Sequence, residues 1–103
     1  MTVKEVDGRT IVYLEGYLNQ LGGAALREQI RGLLDTHPTE LALDFSRTRL
    51  VNSIGVSFLL EIIDAAQRKG TRLEFVSVPP DINDLFGLLG ITARVPVKAP
   101  VIA

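Results

Sequence analysis

Two stretches of this chain space their apolar residues as one face of an α-helix, and each follows a short run of strand-forming residues. That alternation constrains the fold more than any other feature. Strands separated by helices imply βαβ crossovers and a mostly parallel sheet. In the first stretch Leu26, Ile30, Leu33 and Leu34 share a face, with Arg27, Glu28, Arg31 and Asp35 opposite. This predicts a helix from Gly22 or Gly23 to Thr36, ended by His37-Pro38 because a residue before proline avoids the α region. In the second, Val56, Leu59, Leu60, Ile63 and Ala66 form the core face, and Ser57, Glu61, Asp64 and Arg68 form the polar stripe. That helix opens at Asn52-Ser53-Ile54-Gly55 and runs to about Lys69. Arg68 and Lys69 suit its negative end, and Gly70 suits a left-handed cap.

Strands fill the gaps. Asp7-Gly8 between Val3–Val6 and Arg9–Leu14 is a hairpin signal, since a tight I′ turn needs positive φ at both central residues. Gly16-Tyr17-Leu18-Asn19 reads as a loop leaving the sheet. Leu41–Phe45 reads as a buried strand, Leu50-Val51 as a short extension of the chain after a loop at Arg47-Thr48-Arg49, and Arg72–Val78 as a further strand broken by Pro79-Pro80. Asp81 is placed to cap a short third helix through Ile82, Leu85, Phe86 and Leu89, with Gly90 after it. Ala93–Val97 is expected as an edge strand, where Pro96 is tolerated. The expected architecture is one α/β domain of order ββαβαβαβ over residues 1–97, a mixed, mostly parallel sheet with an antiparallel N-terminal hairpin, and a frayed tail at 98–103.

Composition narrows the function classes. With 11 Lys+Arg against 12 Asp+Glu and no block of like charge, there is no basic stripe for nucleic acid. No cysteine is present, so disulfides and cysteine-bound zinc are excluded. The charged N-terminus, Met1 to Asp7, does not resemble a signal peptide, and no apolar run reaches membrane-spanning length. A cytoplasmic protein, not membrane-embedded, is the expectation. Its size suits a monomer or weak homodimer.

Catalysis finds little support. His37 is the single histidine and sits in a helix-ending turn. The carboxylates show no metal-site spacing, and phosphate-loop glycine patterns are absent. No catalytic residue, metal or cofactor is expected. A small hydrolase-like or nucleotide-binding domain would lack a base, a metal and a phosphate loop.

The segment from Asp44-Phe45-Ser46 to Asn52-Ser53-Ile54-Gly55 places a hydroxyl, Ser53, at the start of a helix after a buried strand. The first helical turn offers free N–H groups and partial positive charge. A phosphate there is electrostatically favoured, yet adds about −1.5 to −2 charges to the surface. Two assignments stay open. Ser53 caps the helix itself, or Asn52 caps it and Ser53 becomes the first helical residue with its hydroxyl free.

Taken together, Asp44-Phe45-Ser46, Asn52-Ser53-Ile54-Gly55, Gly16-Tyr17-Leu18-Asn19, Leu59-Leu60, Val76-Ser77-Val78-Pro79 and Leu85 to Ile91 resemble the STAS domain family, in particular its anti-sigma factor antagonists. The resemblance implies the ββαβαβαβ module and a protein-binding function. It also implies phosphorylation of Ser53 by a serine kinase that is itself the anti-sigma factor, so that the phosphate controls partner switching. The partner-binding set it implies, joined to the reading of the second helix, is Asn19, Asn52, Ser53, Ile54, Gly55, Ser57, Phe58, Glu61 and Ile62. Phe58 and Ile62 lie beside the core face, and both half-burial and partner contact fit that spacing. Three positions depart from the family pattern: Asn52 and Asn19 stand where it has Asp, and Ile54 where it has Ser or Thr. The alternative reading is a constitutive, non-phosphorylated STAS subunit of an ABC lipid-transport complex, bound to its ATPase, or of a sensory complex.

Overall fold

Asp7 and Gly8 adopt φ of 53° and 77°, the geometry of a tight hairpin turn, and join β1 (Thr2–Val6) to β2 (Arg9–Tyr13) in antiparallel register. A computed structural model describes residues 1–101. The chain continues through β3 (Gly16–Leu18), α1 (Gln20–Leu34), β4 (Glu40–Asp44), β5 (Thr48–Val51), α2 (Ser53–Lys69), β6 (Arg72–Val76) and α3 (Pro80–Leu88), then a 3₁₀ turn at Ile91–Ala93. The main sheet has the order β1-β2-β4-β6, with β2, β4 and β6 parallel.

Side-chain alternation divides the sheet. Val12, Leu41, Leu43 and Phe75 point to one face and join the buried cluster with Leu26, Ile30, Leu59, Ile63 and Phe86 from the helices. Phe45, Phe75 and Phe86 pack ring against ring, with centroids 5.2–5.7 Å apart, which fixes α3 to the sheet. Each such fully buried side chain contributes roughly 1.5–3 kcal/mol. On the other face Arg9 and Glu74 form an ion pair at 2.6 Å, and Lys98 reaches the same carboxylate at 2.9 Å.

Several expectations are corrected. Gly16–Leu18 is not a loop: it pairs in parallel with Thr48–Val51 as a separate two-stranded ribbon. The strand at Thr48–Val51 starts two residues before Leu50, because the Thr48 hydroxyl donates to the Leu14 carbonyl at 2.8 Å and draws this segment against the sheet end. The first helix begins at Gln20, ahead of Gly22, since Asn19 is its cap. Asp81 lies inside the third helix, whose cap position is Pro79. Instead of an edge strand over Ala93–Val97, the chain turns at Ile91–Ala93 and meets β6 through a bridge between Phe75 and Val97. The Lys98 amide donates to the Phe75 carbonyl at 2.8 Å, so the start of the expected tail is held by the sheet. The tail's last residues, Ile102 and Ala103, lie outside the described residues.

Candidate functional site

The site grows from two strand-to-helix junctions that share one capping pattern, Asn to the Gly three residues on, and lie side by side. β3 runs into α1 through Leu18-Asn19-Gln20-Leu21-Gly22, and β5 runs into α2 through Val51-Asn52-Ser53-Ile54-Gly55. In each, asparagine holds extended backbone and its side-chain oxygen accepts from the glycine amide three residues on. The distances are 3.0 Å for Asn19 with Gly22 and 2.8 Å for Asn52 with Gly55. Both are N-caps, each satisfying a helix-start donor. The Asn52 amide also donates to the Leu18 carbonyl at 3.2 Å, tying the two junctions together.

Glycine is required at the third helical position of each. A Cβ at Gly55 would run into the Leu18 carbonyl, and one at Gly22 into the Tyr17 carbonyl. Close approach of helix and strand brings the two helix starts to one end of the domain. Gly23 does the same for the helix pair, lying under the Phe58 ring.

Ser53 is the first residue of α2 and is exposed. Asn52 performs the capping, so of the two assignments open in the sequence the second holds. Among the described residues the Ser53 hydroxyl makes no hydrogen bond; its carbonyl accepts from the Ser57 hydroxyl at 3.2 Å. Neither α1 nor α2 carries an acidic residue in its first turn, so both positive helix ends act on this surface without a compensating carboxylate. Asp44 is turned inward: it accepts from the Ser46 amide at 2.8 Å and shapes the turn out of β4.

The expected contact residues separate into two groups. Asn52, Ser53, Ile54, Ser57 and Glu61 are exposed along one side of α2, with Asn19 part-buried beside them. Ile62, expected among the partner-binding residues, is 2% exposed and belongs to the core, because α1 packs over that side of α2. Phe58 is half-buried, with the Arg27 guanidinium stacked 5.0 Å above its ring centre. Gly55 is buried and presents no surface. The sequence reading missed Tyr17 and Leu21, which stand exposed at the same end. Its available signal was the repeat of apolar-Asn-x-apolar-Gly at positions 18–22 and 51–55.

A family model described as "Mlab, STAS domain" matches residues 1–97. The chain belongs to the STAS domain family. This STAS domain is 22% identical over 97 residues to BtrV of Bordetella bronchiseptica, described as a candidate anti-sigma factor antagonist; the match covers 94% of this chain and 84% of BtrV. Its fold is similar to that of a candidate anti-sigma factor antagonist from Thermotoga maritima, with a TM-score of 0.87, 16% identity, and coverage of 97% of this chain and 86% of the other. It is also similar to the Bacillus cell fate determinant SpoIIAA in its phosphorylated form, with a TM-score of 0.71, 17% identity, and coverage of 93% and 88%. At these identities the likeness is one of fold. Among the described residues no helix of this STAS domain is long and apolar enough to cross a membrane.

Proposed function

We propose that this protein is a non-catalytic, cytoplasmic regulator that binds a kinase-type anti-sigma factor through the end of the domain carrying the two helix starts, and that phosphorylation of Ser53 switches this binding off. The observation that carries the reading is the division of labour between Asn52 and Ser53: Asn52 caps α2 through Gly55 and leaves the exposed Ser53 hydroxyl available. The relatives described as anti-sigma factor antagonists, and the phosphorylated form of SpoIIAA, support the reading.

The chemistry asked of this chain is small. The Ser53 Oγ attacks the γ-phosphorus of ATP held by the partner, an O–P bond forms, the bond to ADP breaks, and the hydroxyl proton passes to a base on the partner. This chain positions the hydroxyl on a rigid helix start. The positive end of α2 then stabilises the phosphate. The Asn52 cap does not involve the Ser53 hydroxyl, so the modification leaves the fold in place. The added charge of about −1.5 to −2 falls in the contact surface formed by Asn19, Asn52, Ile54, Ser57 and Glu61.

Titration of the anti-sigma factor kinase with wild type, Ser53→Ala and Ser53→Asp tests this. Wild-type-like affinity for Ser53→Ala and at least about tenfold weaker binding for Ser53→Asp are expected, a loss of about 1.4 kcal/mol. Equal affinities for the two variants would overturn the switch.

A further inference from the structure

Four large apolar side chains stand exposed around the two helix starts: Tyr17 at 59%, Leu21 at 83%, Leu50 at 55% and Ile54 at 47%. Their placement is ordered. Tyr17 and Leu50 are direct partners across the β3–β5 ribbon. Leu21 and Ile54 occupy the same position, second after the cap, in α1 and α2. Each strand-to-helix junction thus sends one apolar side chain from its strand and one from its helix to the same end of the domain. None of the four belongs to the core cluster. Concentrated apolar exposure of this kind marks a macromolecular contact.

The acidic groups beside them are paired, Glu61 with Arg27 at 3.3 Å. The first turns of α1 and α2 hold no acid. Arg49, exposed between Thr48 and Leu50, makes no ion pair among the described residues. Glu15, just before β3, is engaged by the Thr2 hydroxyl at 3.0 Å and by the N-terminal amino group at 3.6 Å. The end of the domain is therefore apolar with a positive surplus.

We infer that the partner docking here presents an apolar surface rimmed by carboxylates, and that Tyr17 and Leu21 of the first junction anchor it together with Leu50 and Ile54 of the second. This rests on the reading that the Ser53 end is the docking face. It goes further by naming the partner's chemistry and by giving the switch its sign. A phosphate on Ser53 sets its charge against the partner's acidic rim and repels it, while the apolar anchors stay unchanged. A second copy of this chain fits poorly, because a two-fold contact would set Arg49 and both positive helix ends against their own images.

A random peptide phage library panned on the wild-type domain, and counter-selected on the bare support, tests the partner chemistry directly. Enriched peptides are expected to combine apolar residues with Asp or Glu. Synthetic versions should bind at least about tenfold more weakly to Leu21→Asp and to Ser53→Asp, with Leu21→Ser between, and should weaken as salt rises. Unchanged melting of the Leu21 variants confirms that the fold is intact. Enrichment of basic or purely polar peptides, or none over the counter-selection, overturns the inference. Loss of binding in Ser53→Asp with none in Leu21→Asp overturns it and leaves the docking face standing; indifference to both overturns both. A wild-type dimer in sedimentation that Leu21→Asp dissociates would make a second copy the occupant and also overturn it.

Discussion

The backbone amide of Asn52 donates to the carbonyl of Leu18 at 3.2 Å, joining the start of α2 to the end of β3. Leu18 precedes Asn19, the cap of α1, so this bond, with the β3–β5 pairing, holds both capped helix starts in fixed relation. The surface around Ser53 is accordingly built from backbone held by the sheet ribbon and two helices.

Asn52 supports α2 through its side chain, and Ser53 does not. Asn52→Ala should destabilise the domain by about 1 kcal/mol, the usual loss for a removed cap. Asn52→Asp should retain stability, since a carboxylate also caps and favours the positive helix end. Ser53→Ala should stay within about 0.5 kcal/mol of wild type, as surface changes do. Urea unfolding of the three variants measures each; a larger loss in Ser53→Ala than in Asn52→Ala would reverse the assignment of the cap.

Two glycines in helices should respond with opposite signs. At Gly55 a methyl group meets the Leu18 carbonyl, so Gly55→Ala should cost about 1–3 kcal/mol through overpacking. At Gly32, exposed in α1 with nothing near its added Cβ, Gly32→Ala should stabilise by up to about 1 kcal/mol. Thermal melts of the pair separate the effects.

Ile62 and Glu61 are neighbours with different roles. Ile62→Ala should destabilise by about 2–5 kcal/mol, because the removed atoms leave a cavity between α1 and α2. Glu61→Ala should change stability little, its ion pair with Arg27 at 3.3 Å being exposed. A small loss in Ile62→Ala would place that side chain at the surface after all.

Glu15 should titrate below the ordinary glutamate range. The Thr2 hydroxyl is the main cause, followed by the N-terminal amino group, with Arg47 also favouring the charged form. A carboxyl lowered on folding contributes stability above its unfolded value and loses it as pH falls through the lowered one. NMR titration of the Glu15 side chain should show its midpoint rising in Thr2→Val; an unchanged midpoint would remove Thr2 as the cause.

The strand and helix alternation was legible because it is local. Asp7-Gly8 marks the hairpin, and the spacing of Leu26, Ile30 and Leu34 marks α1. β3 escaped because three residues, Gly16–Leu18, are too few to show a period, and their partner lies at Thr48–Val51, information no local window contains. The start of α1 was read late because Gly22 and Gly23 look like a loop. They are small for a different reason: the Tyr17 carbonyl and the Phe58 ring approach them closely. Ile62 was misplaced because the width of the buried face of α2 depends on where α1 packs. Ser53 could be located from sequence, but whether its hydroxyl capped the helix depended on the Asn52 side-chain torsion, which only the folded backbone fixes.

Intact-mass analysis after incubation with the proposed partner, a kinase-type anti-sigma factor, and Mg-ATP, followed by site mapping, probes the role of Ser53 most directly. Wild type should gain the mass of one phosphate, located on Ser53, and Ser53→Ala should gain none while still binding the kinase. An unmodified wild type, or a phosphate located on Ser57 or Ser46 instead, would contradict the assignment of Ser53 as the acceptor.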